Sequence, residues 1–143
     1  MNRKYYKKSL KFKVLERIQR LRGNIVQRKD IQEMAGPRQL SRCFRDLVLM
    51  GKLIKIGYGI YAKAYTSQYT SKPIIQGGFS SICKEALTKL GIQWEPGTAE
   101  KEYNAGLSTQ VPVRTIVQLK SRYRGRLSYG NRTLVVENGV NAR

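Results

Sequence analysis

The sequence predicts an α+β protein, with a helical N-terminal half closed by a hairpin and a C-terminal half of one helix and short antiparallel strands. Three observations carry that expectation. Residues 37–62, PRQLSRCFRDLVLMGKLIKIGYGIYA, read as one amphipathic helix, a glycine stop and a tight two-stranded hairpin. Apolar side chains recur at the helical period before this stretch, from Leu10 to Leu21, and again after it, from Ile82 to Leu90. Beyond residue 113 the pattern changes to short β-branched runs interrupted by Gly130-Asn131, a tight-turn signal between strands.

The elements follow in order. Residues 1–9 form a basic arm with two tyrosines, expected to be loose in the free protein: either an arm that touches phosphates or a groove, or a frayed terminus. Residues 10–22 are a helix: Leu10, Val14, Ile18 and Leu21 keep one apolar face with Leu15 beside it, and Lys11, Lys13, Arg17 and Arg20 lie mostly outside it. Gly23-Asn24 stops the helix. Ile25-Val26 is short and extended, a candidate third strand beside the hairpin. Residues 28–35, RKDIQEMA, are expected to form a short second helix with Ile31, Met34 and Ala35 inward, and Gly36-Pro37 turns the chain.

In the next helix Leu40, Phe44, Leu47 and Val48 fall at i, i+4, i+7 and i+8, which leaves Arg38, Gln39, Ser41, Arg42 and Arg45 on the opposite face. Pro37 suits a first helical turn, where its missing N–H has no intrahelical partner. Gly51 ends the helix. Residues 52–56 run out as a strand, Gly57-Tyr58-Gly59 turns, and Ile60-Tyr61-Ala62 returns. Helix, short strand, helix, turn, helix and hairpin is the complete order of a winged helix-turn-helix over residues 10–64. Its recognition helix would enter a major groove and its wing would lie along the backbone or in the minor groove.

The remaining region, residues 65–138, is expected to be a small α+β domain. Residues 65–78 are rich in Ser, Thr, Tyr and Gly and read as a connector or irregular strand, with Pro73-Ile74-Ile75 as a short buried piece. A helix follows over residues 79–90, with Ser80 or Ser81 as N-cap, Ile82, Ala86, Leu87 and Leu90 as its stripe, and Gly91 as its stop. Ile92-Gln93-Trp94 is extended, Glu95-Pro96-Gly97 turns, and residues 98–104 are expected to make a helical turn with Ala99, Tyr103 and Ala105 facing in. Residues 113–119, 124–129 and 133–137 read as three strands, and the tail after Asn138 is polar.

The totals narrow the function. The chain of 143 residues carries 28 Lys and Arg against 9 Asp and Glu, a net charge of +19, which calls for a polyanionic partner. The charge sits at the ends: residues 1–30 hold 11 basic and 2 acidic side chains and residues 104–143 hold 7 and 1, while residues 65–103 hold 4 of each. Mean hydropathy is −0.49, and no apolar run approaches the roughly 20 residues of a membrane span. The basic start is not followed by the apolar core of a signal peptide. A cytoplasmic protein without membrane contact is expected. Cys43 and Cys83 lie in apolar stretches and read as small buried hydrophobes. Without histidine they offer neither a usual zinc site nor the commonest general base. Glu95, Glu100 and Glu102 read as a solvated acidic loop, no phosphate-binding glycine loop is present, and Ser108 or Thr109 would lack a base as nucleophile. Neither an enzyme nor a cofactor or metal is expected.

Two runs of residues resemble a known family. Gly23-Asn24-Ile25-Val26, Asp30-Ile31, Leu40-Ser41, Leu47, Gly51-Lys52-Leu53-Ile54 and Gly59-Ile60-Tyr61 resemble the winged-helix domain of the AbiEi-type antitoxins of bacterial type IV toxin–antitoxin systems. Ala86-Leu87, Leu90-Gly91, the segment Gly106-Leu-Ser-Thr-Gln-Val-Pro112 and Gly130-Asn-Arg-Thr-Leu134 resemble short relatives of those antitoxins, most of them uncharacterised. The resemblance implies a DNA-binding transcriptional regulator that represses its own operon, with a nucleotidyltransferase-like toxin as a partner acted on indirectly.

The expected function is sequence-specific binding of double-stranded DNA. The candidate contacts are Arg28, Lys29, Arg38, Gln39, Ser41, Arg42 and Arg45 on the helices, and Lys52, Lys55, Tyr58 and Lys63 on or beside the hairpin. Two alternatives stay open: an RNA-binding or ribosome-associated structural protein, which the basic C-terminal strands would suit, and a protein-interaction antitoxin that does not bind DNA.

Overall fold

The computed structural model describes residues 9–69, 71–112 and 114–137. Residues 1–8 of the basic arm, Thr70, Val113 and the tail from residue 138 lie outside them. The protein is α+β. It divides into two compact units: the chain up to Lys55 together with Gly59–Gln76, and Ile56–Tyr58 together with the residues from Gly77 onward.

The first unit begins with α1, Leu10–Arg20, capped by Ser9, whose hydroxyl accepts from the Phe12 N–H at 3.1 Å. Strand β1, Ile25–Gln27, follows a left-handed Gly23. The expected second helix is two consecutive 3₁₀ turns, Arg28–Asp30 and Gln32–Met34. Ile31 lies between them at φ −132° and ψ 15°, outside the helical region. Its side chain is fully buried. The Asp30 carboxylate takes the Gln27 N–H at 2.8 Å, tightening the first turn. Tertiary burial of one residue and a local side-chain bond thus outweigh the weak preference of an eight-residue segment for α-helix.

Helix α2, Pro37–Leu49, has proline in its first turn as expected and buries Leu40, Cys43, Phe44 and Leu47. The chain turns at Gly51, φ 76°, into β2, Leu53–Gly57, and returns through β3, Ile60–Thr66. Strand β1 pairs antiparallel with β3, Ile25 opposite Ala62 and Gln27 opposite Ile60, so the third strand beside the hairpin is present. The connector holds more structure than its composition implies. Pro73–Ile75 is a strand, β4, pairing antiparallel with β3 at residues 64–66. Lys63 marks the join: its N–H donates to the Asn24 carbonyl at 2.8 Å, and its carbonyl accepts from the Gln76 N–H at 3.2 Å. Strands β1 and β4 therefore lie end to end along one edge of β3, with β2 on the other.

Val14, Ile18, Val26, Ile31, Leu40, Cys43, Phe44, Leu47 and Leu53 form one buried cluster in this unit. The Phe44 and Tyr61 rings stack within it, with centroids 4.5 Å apart and planes 11° from parallel, which joins α2 to β3.

The second unit carries α3, Phe79–Lys89, and buries Phe79, Ile82, Cys83, Ala86 and Leu87. Its N-cap is Gly78 rather than Ser80 or Ser81; at φ 84° Gly78 occupies a backbone region that serine rarely adopts, and both serines lie inside the helix. Strand β5, Trp94–Pro96, begins at the last residue of the expected extended piece and includes part of the expected turn. Helix α4, Thr98–Asn104, buries nothing: Ala99, Tyr103 and Ala105 are exposed, and Glu100 is its half-covered residue because it reaches Lys84.

The three expected strands are shorter and differently partnered. They are β6, Ile116–Leu119; the hairpin β7, Ser128–Tyr129, and β8, Arg132–Thr133; and β9, Val135–Val136. Gly130-Asn131 makes the turn of the hairpin, as expected, with Gly130 at φ 61°. Strand β6 pairs antiparallel with β5 but parallel with β9, so this region is mixed rather than wholly antiparallel. Leu134 breaks the run between β8 and β9. Its N–H turns to the Leu127 carbonyl at 2.9 Å, while the Val135 N–H bonds Thr115.

Candidate nucleic-acid interface

Helix α2 sorts its residues by face. Leu40, Cys43, Phe44 and Leu47 are buried, and Arg38, Gln39, Ser41, Arg42 and Arg45 are exposed. Arg38, Arg42 and Arg45 follow at i, i+4 and i+7, so three guanidiniums share one stripe. None of the three forms an ion pair among the described residues. On α1 the opposite holds: Arg17 meets Glu33 at 2.8 Å and Arg20 meets Glu16 at 3.3 Å. The first of these ion pairs ties the second 3₁₀ turn to α1.

Arg28 and Ser41 are brought together. The Arg28 Nη1 donates to the Ser41 Oγ at 2.9 Å, and its Nη2 donates to the Pro37 carbonyl. The half-buried Arg28 thus braces the first 3₁₀ turn against the start of α2. Lys29 stands exposed beside it.

On the hairpin Lys52 and Lys55 are exposed, and Tyr58 at the turn is 98% exposed. Within β2 the neighbours of Lys55, Ile54 and Ile56, are buried, so Lys55 points away from covered surface. Lys63 is different. It is half-buried, and its ammonium donates to the Leu21 carbonyl at 2.7 Å, closing the C-terminal end of α1. Its charge fastens the first helix to β3.

Both thiols are buried. Burial pushes Cys43 up, with Asp46 adding to the rise, and burial pushes Cys83 up to about 12. A thiol held protonated at neutral pH is neither a nucleophile nor a ready metal ligand. Glu95, Glu100 and Glu102 do not converge on one site: Glu95 pairs with Lys101 and Lys120, and Glu100 pairs with Lys84 at 2.5 Å. Among the described residues no group of three or more metal-ligating side chains comes together, and no helix is long and apolar enough to cross a membrane.

The chain matches no family model, no curated protein and no solved structure. The candidate interface therefore stands on its own geometry.

The second unit holds cations that sequence reading counted without singling out. Arg114, Arg122, Arg124, Arg126 and Arg132 are exposed and form no ion pair among the described residues. Arg122, Arg124 and Arg126 belong to the irregular segment between β6 and β7, where a strand was expected from Arg124 onward. Arg114 and Arg132 are far apart in sequence and line one cavity. The excess of basic residues after Asn104 was the available signal, and it carries no information about which of them meet.

Proposed function

We propose that the protein is a sequence-specific double-stranded DNA-binding regulator of the antitoxin-like kind, acting on its own operon. In this reading residues 10–64 work as a winged helix-turn-helix, with α2 as recognition helix and the β2–β3 hairpin as wing. One observation supports it above the others. The face of α2 opposite the core presents Arg38, Arg42 and Arg45, without acidic partners among the described residues, and Gln39 beside them. Arginine makes bidentate contacts with guanine, and glutamine with adenine, in a major groove. The Arg28 brace on Ser41 and the Pro37 carbonyl supports the reading further, because it holds the start of α2 rigid without using the three stripe arginines.

The test is a fluorescence-anisotropy titration of the full chain against three probes: the duplex upstream of its own coding sequence, a scrambled duplex of equal length, and duplex RNA. The proposal expects preference for the upstream duplex over both others. Equal affinity for RNA would favour a structural RNA-binding protein, and loss of all binding at physiological salt would favour a protein-interaction module.

A further inference from the structure

The second unit forms an open cavity of about 530 Å³ lined by Phe79, Ser80, Arg114, Thr115, Arg132 and Val135, with Asn131 and Thr133 completing its polar wall. The volume falls within the range of small-molecule pockets, about 300–1,000 Å³. Its chemistry is one-sided. Two guanidiniums and three hydroxyls line it, no carboxylate does, and neither arginine is neutralised by an ion pair among the described residues. Strand β8 and the residues just before β6 set this arrangement: Arg132 pairs with Tyr129 across the 128–133 hairpin, and Thr115 accepts the Val135 N–H at 2.9 Å through its carbonyl. That bond holds the segment carrying Arg114 beside the strands carrying Arg132, although 18 positions separate the two in sequence.

We propose that this cavity binds a phosphate monoester dianion, with Arg114 and Arg132 as its two cationic walls. Two fixed positive charges match the two negative charges of a monoester. The planar guanidinium fork suits its tetrahedral oxygens better than a lysine would. Thr115, Thr133, Asn131 and Ser80 supply neutral donors for the remaining oxygens. Phe79 and Val135 give the apolar wall against which the organic part of a phosphorylated small molecule would rest. The site uses no residue of α2, so the proposal does not depend on the DNA reading.

Isothermal titration of the full chain at physiological salt tests this with adenosine 5′-monophosphate, inorganic phosphate and adenosine as probes. Both phosphate species are expected to bind, and adenosine to bind at least about tenfold more weakly than its monophosphate. Tighter binding of the monophosphate than of inorganic phosphate marks a phosphorylated small molecule as the occupant; the reverse order marks free phosphate. The Arg114→Ala/Arg132→Ala variant should lose at least about tenfold for both phosphate species. The charge-matched Arg122→Ala/Arg124→Ala variant should stay within about twofold, because a loss by general electrostatics would be equal in the two. Arg132→Gln alone gives the same reading if the double variant does not fold. No binding of either phosphate species at millimolar concentration, or equal loss in both double variants, overturns the proposal. Duplex DNA affinity of the Arg114→Ala/Arg132→Ala variant, measured in parallel, separates failure of this site from failure of the DNA reading.

Discussion

Arg42 and Lys55 carry the same charge on different backbones, and that difference separates two kinds of contact. Arg42 stands mid-stripe on an exposed helix face, and Lys55 on an exposed position of a hairpin strand. Phosphate contacts position a protein, and base contacts specify its site. Arg42→Ala is therefore expected to cost roughly 1–3 kcal/mol on the cognate duplex and much less on a scrambled one. Lys55→Ala should weaken both about equally. Titration of both variants on both duplexes checks this, and an equal loss for Arg42→Ala on the two would mean that α2 does not read sequence. Lys63 was expected to belong with these contacts by its place beside the hairpin. Its bond to the Leu21 carbonyl gives it structural work, which no count of charges could reveal. The same holds for Arg28, whose two bonds to α2 depend on the turn of residues 28–34.

At the scale of elements, the joint between α2 and the hairpin is tight. Gly51 sits at φ 76°, and a Cβ there would lie 2.9 Å from the Thr66 Oγ1. A left-handed backbone costs an L-residue about 1–2 kcal/mol before any clash is counted. Gly51→Ala should therefore lower the denaturant midpoint by at least that much, with the slope unchanged; a midpoint like that of the wild type would show that this joint relaxes freely. Helix α4 depends on a different device. The Glu137 carboxylate accepts from the Thr98 N–H at 3.0 Å, the Thr98 hydroxyl at 2.8 Å and the Gln118 amide at 2.7 Å. The Gln118 and Thr98 bonds hold its pKa below the ordinary 4.5. A carboxyl whose pKa is lowered by folding contributes stability above its unfolded value and loses it as pH falls through the folded one. The stability gap between wild type and Glu137→Gln should thus be full at neutral pH and close below about pH 4.5. Parallel melts across that range check it, and a gap that persists in acid would assign the effect to shape rather than charge.

For the whole molecule, the charge of +19 makes the proposed binding of DNA strongly dependent on salt. Each neutralised phosphate adds about −0.9 to the slope of log K against log salt, and a basic module of this kind is expected to make about five to eight such contacts. Affinity for duplex DNA should therefore fall with a slope between about −4.5 and −7. A slope near zero would remove the DNA reading altogether. Arg114, Arg122, Arg124, Arg126 and Arg132 of the second unit form no ion pair among the described residues, while Glu95 is engaged by Lys101 and Lys120, and Glu100 by Lys84.

The sequence by itself determined the α+β class, the faces of α1, α2 and α3, the glycine stops at Gly51 and Gly91, and the turns at Gly59 and Gly130. These depend on helical period, missing side chains and left-handed backbone, which act within a few residues. Ile18, Phe44, Leu47, Ile82 and Leu87 are buried where their spacing puts them, and so are Cys43 and Cys83. The tertiary structure alone decided what depends on distant partners. Burial of Ile31 gave two 3₁₀ turns instead of a helix, and the edge of β3 made a strand of residues 73–75. Strand β9 joined β6 in parallel, because the choice of strand neighbour depends on which edge lies open once the chain has folded. The pairing of Arg28 with Ser41, the capture of Lys63 by Leu21, and the meeting of Arg114 with Arg132 at one cavity belong to the same class. Side-chain charge is written in the sequence, but its neighbours are set by contacts between residues that the sequence keeps far apart.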